Sequence, residues 1–216
     1  YDLTELQREA NQRFGYSSKE TLNIMQRLYE NHKVLTYPRT DSRYLSKDIV
    51  PTIKDRLEAC GTGPYRKLAM TAKKKDLSGK LAFVNDAKVS DHHAIIPTEQ
   101  FVDLSHMTNE ERKIYDLVVR RFLAVLYPPF EYEQTQVTVK VGGETFLASG
   151  KIVKAQGWRA AYEEEVYSAE DEEEEEAYES GKSLKGQTLP ELEKGQEIKG
   201  LVLSLTEGKT KPPAHF

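Results

Sequence analysis

Two consecutive prolines, Pro128-Pro129, separate two kinds of hydrophobic periodicity, and that change of period restricts the chain to a mixed fold. Before them apolar residues recur at helical spacing. Thr4 followed by Gln7 reads as a capping box opening a helix with Leu6, Ala10 and Phe14 on one stripe and Gly15 as terminator. Ser17 and Glu20 form a second box. The helix they open carries Leu22, Ile24, Met25, Leu28 and Tyr29 on its expected buried face and ends near Asn31. Ser46 opens a further helix through Ile49, Ile53 and Leu57, with Pro51 as an early disturbance and Gly61 and Gly63 closing it. A short helix is expected over 65–72, and Thr108 with Glu111 caps a long one carrying Ile114, Leu117, Val118, Phe122 and Val125. After the prolines Thr135, Val137, Val139 and Val141 alternate with polar residues, Gly142-Gly143 supplies a two-residue hairpin turn, and 145–153 returns. A further strand is expected over 196–205. The fold class is therefore α+β: a mainly helical unit over 1–129 and a thin antiparallel β unit over 130–216, whose edges call for further pairing.

Composition narrows the class. The chain has 216 residues, 38% apolar and 31% charged. No apolar run approaches the ~20 residues that span a bilayer, so no membrane partner is expected. A single cysteine, Cys60, excludes an internal disulfide framework and a cysteine metal cage, and fits a reducing intracellular compartment. The net charge of −4 conceals an asymmetry: 163–179 hold eleven acidic groups and no lysine or arginine, so the remainder is net basic. A basic remainder suits an anionic partner, and the acidic run reads as a solvated loop. The first residue is Tyr1, not methionine, and the chain is expected to be a piece of a longer protein.

The segment with the most chemistry is Tyr37-Pro38-Arg39-Thr40-Asp41-Ser42, just beyond the second helix. Pro38 fixes its own φ and pushes Tyr37 into an extended conformation, in which residues 37 and 39 point to the same side. A free phenol with a pKa of about 10 is only ~0.1% ionised near neutral pH. A neighbouring guanidinium favours the phenolate and can clamp a phosphate. A tyrosine attacking a phosphodiester needs this pairing, although most tyrosines are simply packed rings with a hydrogen-bonded tip.

A second polar cluster is Ser90-Asp91-His92-His93-Ala94-Ile95-Ile96-Pro97-Thr98. Adjacent histidines face different ways, and no third ligand lies at zinc-like spacing, so the pair does not read as a metal site. One histidine on a phosphate and the other structural fits better. Lys73-Lys74-Lys75 is a weaker candidate contact to a nucleic-acid backbone, and Trp158 is expected in the core. No phosphate-cradling glycine loop and no rigid carboxylate cluster is encoded.

The segment 35–42 resembles the active-site segment of type IA DNA topoisomerases. Residues 1–7 and 14–17 are similar to that family's lead-in helices, and 91–98 to its histidine motif. Gly157-Trp158 and 211–216 resemble landmarks of its arch-shaped β domain. Proline after the tyrosine and the paired histidines resemble the topoisomerase III branch. The resemblance implies that Tyr37 attacks single-stranded DNA to form a 5′-phosphotyrosyl link without ATP, and that Arg39 holds the scissile phosphate. It implies that His92 contacts that phosphate while His93 is structural, and that Asp41 and Ser42 orient Arg39 and the nearby backbone at the DNA. It also implies Mg²⁺ bound by a domain upstream, further domains of the same parent chain as partners, decatenation among the parent's activities, and a nucleoid-associated cytoplasmic location. Because the acidic metal motif is missing, the chain alone is expected to be inactive. A tyrosine recombinase would carry H-x-x-R before its tyrosine; here Ile95 and Ile96 occupy the position three past each histidine, and both histidines follow Tyr37. The alternative is a non-catalytic single-stranded nucleic-acid-binding module.

Overall fold

The first helix, α1 (Leu3–Phe14), begins two residues earlier than a Thr4–Gln7 box would place it. Asp2 is the cap: its carboxylate accepts the Glu5 amide at 2.7 Å and also binds Arg43. A carboxylate opposite the helix's positive end outcompetes a hydroxyl two positions on. The second helix, α2 (Ser18–Glu30), has the expected reciprocal Ser17–Glu20 box. Its buried face is Thr21, Ile24, Met25 and Leu28, whereas Tyr29 stands outside that stripe. Ser46 opens a 3₁₀ run over Lys47–Thr52, because Pro51 lacks the amide an α-helical turn needs, and α3 (Ile53–Cys60) follows. Next come α4 (Arg66–Ala72) and α5 (Asn109–Ala124), the latter opened by the expected Thr108–Glu111 box. The computed structural model describes residues 1–162 and 192–197 of the chain.

The core lies between α1, α2, α3 and α5, with Leu6, Met25, Leu28, Ile53, Leu57, Ile114, Leu117 and Leu123 shielded from solvent. Glu111 does double service. Besides capping α5 it accepts Arg27 Nε at 2.8 Å and meets His32 Nε2 at 3.3 Å, tying the last turn of α2 to α5. Burial alone raises the pKa of this carboxyl. The Arg27 guanidinium, the Thr108 amide and His32 together outweigh burial and hold it below the usual range. Cys60 is buried, which pushes its thiol up to about 12 and leaves it inert.

Beyond α5 the chain enters an antiparallel hairpin of β1 (Glu131–Val141) and β2 (Glu144–Ala155), turning at Gly142 and Gly143 with φ of 59° and 91°. Both positive values suit the primed turns that match strand twist. Helices with a small antiparallel sheet confirm the α+β class. Gly157 then closes the hairpin's foot: at φ 49° a Cβ there would lie 2.1 Å from the Pro129 carbonyl oxygen. From there a 3₁₀ turn over Gly157–Tyr162 packs back on α5, where Arg120 donates to the Ala161 carbonyl at 2.7 Å. Trp158 is not in the core. It is 37% exposed, in edge contact with Tyr162, because it precedes the inward-facing Ala161 and Tyr162. The acidic run at 163–179 lies outside the described residues. So does the strand expected over 196–205, apart from Gln196 and Glu197, which are not in a strand.

Candidate active site

The path into Tyr37 is set by the end of α2. His32 and Val34 donate their amides back to the Arg27 and Leu28 carbonyls at 3.1 and 3.0 Å, and Lys33 adopts a left-handed φ of 58°. That turn is usually made by glycine. It sends the chain across the core, where Leu35 pairs antiparallel with Pro97. The Thr36 amide donates to the Ile96 carbonyl and the Thr98 amide to the Val34 carbonyl, each at 3.0 Å.

Two threonine hydroxyls then fix the bow between them. Thr36 Oγ1 accepts the Ile96 amide at 3.0 Å and reaches the Ala94 carbonyl at 3.4 Å. Thr40 Oγ1 donates to the His92 carbonyl at 2.8 Å and accepts the Ser42 amide at 3.1 Å. Tyr37-Pro38-Arg39 is the bow, bent at Pro38, whose carbonyl accepts the Thr40 amide at 3.1 Å. The segment is therefore not the continuous strand that strict alternation of 37 and 39 assumes. Its other side is held by α1, since Leu3 donates to the Thr40 carbonyl at 3.0 Å. Neither threonine stands out in the sequence, because the partners lie more than fifty residues away.

On this frame the half-buried Tyr37 ring meets two others. His92 lies with its ring centre 4.4 Å away and tilted by 43°, and Tyr29 meets it edge-on at 5.5 Å and 78°. Arg39 is exposed, and no hydrogen bond or ion pair engages it among the described residues. His93 turns inward: its Nδ1–H donates to the Ala94 carbonyl at 2.7 Å. Burial holds its pKa below the ordinary imidazole value, with the Arg56 and His92 charges adding to that against the Ala94 bond and Asp48. The buried Arg56 anchors the far end of the histidine segment, donating to the Pro97 carbonyl at 2.8 Å and pairing with Glu99 at 2.8 Å.

The remaining candidates are placed differently. Ser42 is buried, with its hydroxyl donating to the Lys88 carbonyl at 2.7 Å and accepting the Tyr44 amide at 3.1 Å. Asp41 is exposed and accepts from the Ser90 hydroxyl at 3.3 Å. Neither is hydrogen-bonded to Arg39; both tie the backbone after it to residues 88–90. Lys73 pairs with Glu58 at 2.9 Å, leaving Lys74 and Lys75 exposed. Among the described residues no three histidine, cysteine, aspartate or glutamate side chains converge as a metal site. No described helix is long and apolar enough to cross a membrane.

The site thus sets a phenol against an imidazole on a braced segment, with the exposed Arg39 two residues on in sequence. Across its whole length, residues 1–216, the chain matches the family model described as DNA topoisomerase. The chain belongs to the type IA DNA topoisomerase family. Among curated relatives of this topoisomerase chain, DNA topoisomerase 3 of Bacillus licheniformis is 56% identical and that of Bacillus subtilis 55% identical, each over all 216 residues. The chain spans 28% of the length of each. Among solved structures, full-length topoisomerase I from Thermotoga maritima superposes with a TM-score of 0.57 at 22% identity, covering 89% of this chain and 28% of that one, a likeness of fold.

Proposed function

We propose that this chain is the nucleophile-bearing part of a longer type IA topoisomerase that cleaves, passes and reseals single DNA strands. The observation that carries the reading is the contact at Tyr37: a braced phenol with the His92 ring 4.4 Å away, followed two residues on in sequence by an exposed Arg39. The Tyr37 oxygen attacks a backbone phosphorus of single-stranded DNA. A phosphotyrosyl bond forms to the 5′ side and the bond to the 3′ oxygen breaks. The phenol loses its proton as it attacks, and the leaving 3′ oxygen gains one. Arg39 offsets the charge that develops on the phosphate, and His92 contacts the same group. Resealing reverses these bonds, with the energy kept in the ester, so no ATP enters.

Two units, 1–129 and 130–216, divide the labour in this reading: the first presents the nucleophile and the second belongs to an arch. Mg²⁺ is held by residues outside this chain, and no step above runs through it. For that reason the 216-residue piece alone does not cleave efficiently. The test is covalent trapping of end-labelled single-stranded DNA by the full-length protein and by the piece in parallel, with Mg²⁺, a denaturing quench and peptide mapping. The expected result is a 5′-phosphate on Tyr37 in the full-length protein only, lost in Tyr37→Phe. A full-length protein that binds single-stranded DNA but forms no adduct at Tyr37 would leave a non-catalytic single-strand-binding module as the better description.

A further inference from the structure

We infer that Tyr29 is a positioning residue for the Tyr37 nucleophile, an inference that rests on the function proposed above. The inward stripe of α2 is complete without it: Thr21, Ile24, Met25 and Leu28 are the residues buried there. Tyr29 is 37% exposed and lies outside that stripe, yet its ring meets Tyr37 edge-on at 5.5 Å. A ring at the edge of the buried stripe is not needed to fill the core. What it supplies here is a wall.

A phenol nucleophile on a surface bow has two side-chain torsions that can carry its oxygen away from the reacting phosphorus, and small misplacement of a nucleophile is costly in rate. His92 closes one side of the ring at 4.4 Å. Tyr29 closes another from a different plane, so the two contacts together oppose rotation about either torsion. The edge-to-face contact uses the positive rim of one ring against the negative face of the other, which a phenylalanine provides equally well. No hydrogen bond engages the Tyr29 hydroxyl among the described residues, so the ring and not the oxygen is the working part.

The wall is also fixed. Tyr29 sits in the last turn of α2, between Arg27 and His32, and both of those residues bind the Glu111 carboxylate of α5. The Ser17–Glu20 box holds the other end of the helix. α2 therefore supplies the chain entry to Tyr37 and also a brace for its ring, and the two are registered by one rigid element.

The test uses the full-length protein and single-turnover cleavage of an end-labelled single-stranded oligonucleotide, with oligonucleotide affinity and protein melting measured alongside. Tyr29→Ala is expected to lower the saturating cleavage rate about three- to tenfold with affinity unchanged, as loss of one aromatic contact at the nucleophile implies. Tyr29→Phe is expected to restore the wild-type rate. Tyr29→Leu, which keeps bulk without the ring, is expected to be slow like the alanine variant, and it carries the test should the alanine variant fold poorly. A wild-type rate in the leucine variant would overturn the inference. So would an unchanged saturating rate with weakened affinity in Tyr29→Ala, which would make Tyr29 a base-stacking contact, or a phenylalanine variant as slow as alanine. Absence of any Tyr37 adduct in the wild type is a separate outcome that removes the proposed function itself.

Discussion

Two stretches of this molecule pair extended backbone antiparallel, and they could hardly be held more differently. The hairpin of β1 and β2 is a regular ladder, paired from Glu131 with Ala155 to Val141 with Glu144 and interrupted by one irregularity near Glu131. Almost none of it is buried: Phe146, Leu147, Ile152 and Val153 all face solvent. The pairing of 34–40 with 92–98 is a single bridge bent at a proline, yet it lies on the core and is fastened by two threonine hydroxyls. A regular ladder satisfies its own backbone and can project from the body. An irregular segment must borrow side chains and neighbours to satisfy its polar groups, and that borrowing is what fixes Tyr37 in place.

Thr40→Val tests this contrast where the effect is expected to be largest. Valine fills the same volume but can neither donate to the His92 carbonyl nor accept the Ser42 amide. Two backbone partners, the buried Ser42 amide and the part-buried His92 carbonyl, lose their bonds at about 1 kcal/mol each, so the variant should lose about 2 kcal/mol in urea unfolding. The full-length variant should also cleave more slowly, because the same hydroxyl ties the Tyr37 bow to the His92 segment. A loss below 0.5 kcal/mol would mean the bow is held by its backbone alone, and the contrast with the hairpin would collapse.

The hairpin was the more legible of the two in the sequence. Gly142-Gly143 between alternating runs is a local signal, as are the Ser17–Glu20 and Thr108–Glu111 boxes. Local signals also misled. Thr4 and Gln7 have the spacing of a box, but Asp2 stands closer to the helix start and its charge prevails. Tyr29 falls at a core-like spacing on α2, yet its ring rides over the edge of the stripe toward Tyr37. The paired segments 34–40 and 92–98, which together clamp Tyr37, were legible only as two separate polar clusters whose meeting came from a family resemblance. Nothing local says that Thr36 and Thr40 bond to residues 92–96, since a threonine in an extended run reads as an ordinary strand former.

Acid should distinguish the clamp from the hairpin by a smaller, pH-dependent effect. His93 lies inside the clamp with its pKa held below the ordinary imidazole value of 6.5, chiefly by burial. The unfolded chain therefore binds this proton more readily than the folded one as pH falls through 6.5. The stability tied to a neutral His93 is complete above 6.5 and declines below it, towards the lower folded pKa. Arg56 and His92 strengthen the effect, and Asp48 opposes it. Melting curves of wild type and His93→Gln from pH 8 to pH 5 check this: the wild type should lose stability relative to the variant as pH falls. Parallel curves would show that His93 does not sense the clamp's interior.

Leu147→Ser should have the smallest effect and sharpens the comparison from the other side. Leu147 stands opposite Thr138 on the ladder and is 79% exposed. Its apolar surface is already in water, so removing it forfeits almost no transfer free energy, and serine's weaker strand preference costs only a few tenths of a kcal/mol. Unfolding of the 216-residue chain should shift by less than about 0.5 kcal/mol, several times less than for Thr40→Val although both lie in paired extended backbone. A loss above 1 kcal/mol would show that the hairpin is held by burial as the clamp is. The size of that shift therefore decides whether the difference between the two regions is one of packing or only of regularity.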